Sequence, residues 1–528
     1  MIVKKLFATA LVASALGVAG TAPVHAATLR FSNQGDPISM DPHSLNESLQ
    51  LGFLNNIYDA LVDLDRDLKP VPGLATDWKQ TSPTVWRFNL RKNVTFHDGT
   101  PFTADDVIFS YQRALADGSD VKTYVGAITE IRKIDDHAID VVTKIPYPIL
   151  PNNFTRWMIF SKKWCIENKA EKPVDKRKGI ENTASFKANG TGPYRLKSRE
   201  PGTRTVLVRN LNWWGKNEGN VDEAIFTPIG NGSTRVAALI SGEIDMMEPV
   251  PQQDIARINA GSNTRVLAGP ELRTVFLGMD QKRDELLYSS VKGKNPFKDK
   301  RVRQAFYQAI DIETIKSKVM RGAATPTGEM IGPGVHGFVP ELNKRLPYDV
   351  EGAKKLMAEA GYPAGFEVAL NCPNDRYVND SEICQAVAAM LARINVKVNL
   401  QVESKTLYFP KILARNTSFY MLGWTPSTID AHDTLNSILG TPDNATGRGQ
   451  FNLGAYSNPK IDDLIARVQS ETDAPKRDAM IAEALKLHED DIGHLPLHQQ
   501  ALAWGVKKNV TVVQMATNDM PLKWVTVK

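Results

Sequence analysis

The sequence predicts an α/β protein of two lobes. Its 528 residues exceed one ordinary domain and suffice to bury two cores. Its second half alternates helical and strand periodicities with short connections, the pattern of a mostly parallel sheet covered on both faces. Its composition, 42% hydrophobic and 23% charged, lies near globular averages and excludes a largely disordered or membrane-embedded chain. The net charge is +5, or +3 without Lys4 and Lys5. So small a charge on so long a chain gives no reason to expect a nucleic-acid partner.

In chain order, MIVKKLFATALVASALGVAGTAPVHA joins a basic start to an apolar run from Leu6 to Gly20 and small residues at Val24-His25-Ala26. This predicts a secretory signal peptide cleaved after Ala26, leaving 502 residues. The apolar run is short for a membrane span. No cysteine precedes Cys165, so the expectation is a periplasmic protein without a lipid anchor. Leu29 and Phe31 then alternate in a strand that breaks at Gly35-Asp36-Pro37. The spacing of Leu54, Ile57, Tyr58 and Leu61 predicts a helix over 49–61. Asp63, Asp65 and Asp67 imitate a calcium loop, but Leu68 stands where its glycine belongs and Leu74 where its final acid belongs.

Trp86, Phe88 and Leu90 alternate with Arg87, Asn89 and Arg91, which predicts a strand. His97-Asp98-Gly99-Thr100-Pro101 makes a turn. Thr103 and Asp106 form a capping box for a helix that buries Val107, Ile108, Tyr111, Ala114 and Leu115 and closes at Gly118. Residues 168–190 turn polar and read as a solvated loop. Gly242 ends a short helix within VAALISGEIDMM, Asp299 caps another, and a further one runs from Asp311 to Gly322. The second half then gives helices over 350–360, 381–394 and 474–491, with strands over 366–371, 396–402 and 419–424.

The string LRKNVTFHDGTPFTADDVIFSYQRAL resembles the signature of the family 5 extracellular solute-binding proteins, the dipeptide, oligopeptide and nickel receptors of ABC importers. TGPYRL, RNLNWWGK and NPFKDKRVRQAFYQAIDIETIKSKVMRG are similar to further blocks of that family. The resemblance implies a two-lobed periplasmic-binding-protein fold (type II, large cluster C) with an extra subdomain over about 60–190. Lobe I is expected over 27–285, lobe II over 286–498, and a return to lobe I over 499–528. Crossings between lobes are expected near 280–295 and 498–504. It also implies a monomeric receptor that takes a dipeptide or short peptide to an inner-membrane ABC permease, with no cofactor. Nickel chelates, glutathione, opines and oligosaccharides are the alternatives within the fold.

Ligand sites in such sheets lie beyond the carboxyl ends of the strands. The loop after Asn371 offers Arg376 beside Tyr377, a guanidinium suited to a carboxylate. The loop after Trp424 offers Asp430, suited to an ammonium group. In dipeptide receptors of the family an arginine and an aspartate at the matching places hold the two ends of the peptide, so Arg376 and Asp430 are the expected clamp. The competing reading makes Asp430 a helix cap and Arg376 a surface ion pair. Trp424, Tyr377, Tyr408, Gln34 and Gly35 are the further candidates around the cleft.

A secreted hydrolase is the alternative from another class, but no GxSxG, Walker A or HExxH motif is present. His488, His494 and His498 read as structural rather than as metal ligands, because Pro496 interrupts any helix that would align them. Three cysteines make no disulfide framework. Cys372 and Cys384 have the option of bridging, but buried free thiols are the favoured reading.

Overall fold

The computed structural model describes residues 27–528; the predicted signal peptide lies outside the described residues. Alternation puts Val85–Leu90 inside a four-stranded antiparallel sheet, in the order Ala75–Ser82, Val85–Leu90, Ala138–Thr143, Ile128–Asp135. The capping box forms as expected, with the Thr103 hydroxyl accepting from the Asp105 backbone and Asp106 accepting from the Thr103 N–H at 3.0 Å. The helix it opens, Ala104–Leu115, buries Val107 and Ala114 with Phe88, Leu90 and Phe102 in a core of this subdomain.

The main sheet has eleven strands. Its order runs Lys397–Glu403, Glu367–Pro373, Phe419–Trp424, Thr264–Met279, Leu495–Lys507, Met246–Glu248, Ala27–Asn33, Val221–Phe226, Arg204–Arg209, Tyr194–Glu200, with Ala324–Pro326 pairing beside Leu495–Lys507. Glu367–Pro373 runs parallel to both of its neighbours, as an α/β rhythm requires. Alternation divides the residues of lobe II between two faces. Val275, Leu277, Leu370 and Met421 enter one core, and Phe276, Tyr420 and Leu422 enter another.

Two long strands, Thr264–Met279 and Leu495–Lys507, belong to both halves of the sheet. Their antiparallel pairing runs to Pro270 opposite Ala501, breaks, and resumes at Thr274 opposite Gln499. Only from Thr274 onward does the first of them also pair with Phe419–Trp424. The register of the two long strands thus shifts at Glu271–Arg273, ahead of the 280–295 stretch that polarity singled out.

Three local expectations change. The helix expected over 49–61 ends at Leu54, where the Asn56 side chain donates back to the carbonyls of Gly52 and Phe53 and competes with further helix. The 168–190 loop is partly packed: Lys176 is buried against Glu181, and Arg177 pairs with Asp120. Cys372 and Cys384 are bridged, correcting the free-thiol reading, because the end of one strand and the first turns of the Asp380–Ala392 helix bring their Cα atoms to 6.7 Å. Cys165 is free and buried.

Candidate functional site

The carboxyl ends of the lobe II strands meet the first lobe across a closed cleft. The loop after Glu367–Pro373 supplies Arg376, and the segment before the Ser48–Leu54 helix supplies Glu47 from the opposite side. Arg376 Nε lies 2.5 Å from Glu47 Oε1, and Lys405 Nζ lies 3.4 Å from Glu47 Oε2. Glu47 also caps its helix, accepting from the N–H groups of Leu49 and Gln50 at 3.0 Å each. Burial opposes its ionisation, but Arg376 and Lys405 outweigh that and hold the carboxyl at about 2.

Two cavities of about 30 Å³ flank this contact, and both are lined by Ser48, Arg273 and Arg376. Asn33, Gln34, Glu248 and Gln500 complete one, and Glu47, Tyr377, Trp424 and Thr425 help to complete the other. Each has room for a water or two, so a larger solute enters only when the lobes stand further apart. Glu47 occupies only one edge of the Arg376 guanidinium. Among the described residues no acceptor reaches its two terminal nitrogens, which leaves a two-pronged donor for a carboxylate.

Arg273 stands beside it on the crossing strand, donating from Nε to Glu271 at 2.8 Å while a terminal nitrogen is buried without a partner. The packing here explains Gly423. A Cβ at that position would come within 2.7 Å of the Tyr377 ring and 3.0 Å of Arg273 Cδ. The Gly423 N–H also donates to the Tyr377 hydroxyl at 2.8 Å.

Asp430 does not join Arg376. Its carboxylate accepts two bonds from Arg477 at 2.7 and 2.9 Å and one from His336 at 3.0 Å, and it caps the following helix through the His432 N–H. Burial works against its charge, yet His336 and Arg477 hold its pKa well below the usual carboxylate range. The expectation of a carboxylate offered to the ligand is not met. The cavity wall after Trp424 presents Thr425 and Ser427 instead.

The other candidates divide. Trp424 lines a cavity and donates to Asp433 at 3.0 Å. Tyr377 lines the same cavity although nearly all of it is core. Tyr408 does not reach the cleft: it is fully buried, and its hydroxyl donates to the Met421 carbonyl at 2.5 Å with the Asn371 carbonyl at 3.2 Å beside it. Gln34 donates to the Tyr377 carbonyl across the cleft at 3.2 Å, and Gly35 lets Lys405 approach so closely that a Cβ would meet its Cε at 2.7 Å. Glu47, Lys405, Arg273 and Glu248 are absent from the sequence-based site. Glu47 alone had a local signal, as an acid just before a helix.

Residues 69–446 match the family model described as bacterial extracellular solute-binding proteins, family 5 Middle. The chain belongs to this family. Like other family 5 proteins it is therefore a solute-binding protein, and its relatives align along nearly their whole length. The periplasmic murein peptide-binding protein MppA of Escherichia coli is 24% identical, over 93% of this chain and 92% of its own. The periplasmic oligopeptide-binding protein OppA of Salmonella typhimurium is 27% identical, over 94% and 93%. The DppA protein of Helicobacter pylori, an ABC transporter-associated periplasmic binding protein solved with the peptide STSA, superimposes with a TM-score of 0.84 at 22% identity, covering 95% of this chain and 98% of its own.

Proposed function

We propose that this family 5 protein is the periplasmic receptor of an ABC importer, closing two lobes around a short peptide or similar zwitterion without chemical turnover. The observation that carries the reading is Arg376, enclosed where the lobes meet, which lines both cavities and whose terminal nitrogens have no hydrogen-bond acceptor among the described residues. A desolvated guanidinium with free donors binds a carboxylate strongly and selectively. Relatives named for peptide binding support the peptide class.

The lobes divide at Glu271–Arg273 and at Gln499–Ala501, where the pairing of the long strands breaks. Rotation about two such crossings opens the cleft as a hinge. With the lobes closed, Glu47 supplies Arg376 and Lys405 with a carboxylate across the cleft. Native mass spectrometry of freshly purified protein tests the reading: a co-purified peptide is expected. A bound metal chelate or neutral sugar would overturn the peptide class while leaving the receptor role in place.

A further inference from the structure

We propose that Glu248, at the lobe I edge of the cleft, holds the cationic nitrogen of the ligand, the place that sequence gave to Asp430. The inference rests on the peptide reading and names the second half of its recognition. Glu248 ends the Met246–Glu248 strand and lines the same cavity as Arg376. One oxygen accepts from the Asn33 amide at 2.5 Å. Among the described residues no donor reaches the other. Asn33 is itself fixed, since its own oxygen accepts from the Gly35 N–H at 2.9 Å. Glu248 is thus a held carboxyl group with one oxygen unbonded, on a cavity that Arg376 also lines.

Most of the other acids nearby are engaged on both oxygens or shared between cations. Glu271 is bonded to Arg273 and to Gln500, while Asp375, which accepts the Lys405 N–H at 2.6 Å, sits next to Arg376 in the same loop rather than across the cavity from it. Glu47 is shared between Arg376, Lys405 and its own helix. Asp430 is spent on Arg477 and His336. Glu248 faces Asn33 on one neighbouring strand, Glu271 on the crossing strand, Arg235 on the Gly232–Ser241 helix, and Arg376 with Asp375 across the cleft. Burial pushes its carboxyl up and Glu271 adds to this, while Asn33, Arg376 and Arg235 pull it down; the outcome is about 8. With the lobes closed as here, Glu248 is mostly protonated at pH 7. An arriving ammonium ion makes the ionised form favourable, and the proton on Glu248 leaves to solvent as the ion pair forms.

That proton gives the test a readout that a structural role would not move. The probes are the dipeptide Met-Leu and the tetrapeptide Ser-Thr-Ser-Ala, each also with an acetylated amino end, titrated calorimetrically at pH 7 in buffers of different ionisation enthalpy. The proposal expects the free-amine probes to bind with net proton release and acetylation to abolish that release. Glu248→Gln, which keeps the bond from Asn33 and so the fold, should lose both the release and about 30-fold or more in affinity, with no further loss on acetylation. Free-amine probes that bind Glu248→Gln as tightly as wild type would overturn the role of Glu248 and leave the peptide reading intact. Acetylated probes that bind as well as free ones, or no binding by any probe, would overturn both.

Discussion

Two strand-end loops of lobe II carry charges that look equivalent in one dimension, and the structure uses them oppositely. The loop after Pro373 turns Arg376 toward the other lobe, where Glu47 forms an ion pair with it at Nε and, among the described residues, no acceptor hydrogen-bonds its terminal nitrogens. The loop after Trp424 turns Asp430 back into its own lobe, where Arg477, His336 and a helix N-terminus use both of its oxygens. A charge that a strand-end loop carries is thus available for recognition only where its own lobe leaves it unpaired.

The largest effect on stability should come from the loop whose carboxylate is spent within its own lobe. Asp430→Ala strands the buried guanidinium of Arg477 and should cost about 3–5 kcal/mol of stability, measured by chemical denaturation. A loss below about 1 kcal/mol would break the contrast. Arg376→Ala should weigh more on binding, weakening the peptide complex by about 2–5 kcal/mol in calorimetry, and cost less stability than Asp430→Ala, because Glu47 keeps Lys405 and its helix cap. Equal stability losses in the two variants would show that Arg376, too, is structural.

Glu47 sharpens the comparison through pH. Its pKa falls from the usual 4.5 to about 2 on folding, so its contribution is complete above 4.5 and disappears as pH falls toward 2. Glu47→Gln should remove stability on the order of 3 kcal/mol at pH 7 and flatten the curve across that window. A wild-type slope unchanged in the variant would contradict the assignment. The smallest effect belongs to Tyr408→Phe. Losing the hydroxyl that donates to the Met421 carbonyl should cost about 1 kcal/mol and leave affinity unaltered; weakened binding would return Tyr408 to the site.

Sequence reached what neighbouring residues determine. Thr103 and Asp106 form their capping box, Phe419–Trp424 is a strand over its full predicted length, and Asp299 caps its helix, because each depends on contacts a few residues away. The same reach explains the misses. Arg477 lies 47 residues from Asp430, and Lys405 lies 358 from Glu47. No local periodicity announces such partners. Glu248 closed an apolar strand and carried no turn or cap signal, so only its position across the cavity from Arg376 singles it out.

The bridge between Cys372 and Cys384 encloses the segment that bears Arg376 and Tyr377. By chain-entropy reasoning, closing a loop of this length removes about 3 kcal/mol of disorder from the untied chain. If Arg376 grips the ligand as proposed, part of the freedom its loop would surrender at every capture is given up once, when the thiols are oxidised. A receptor that loads and unloads repeatedly gains from this at each turn of its cycle. Reduction would therefore be felt as a recurring weakening of every capture as well as a single loss of stability.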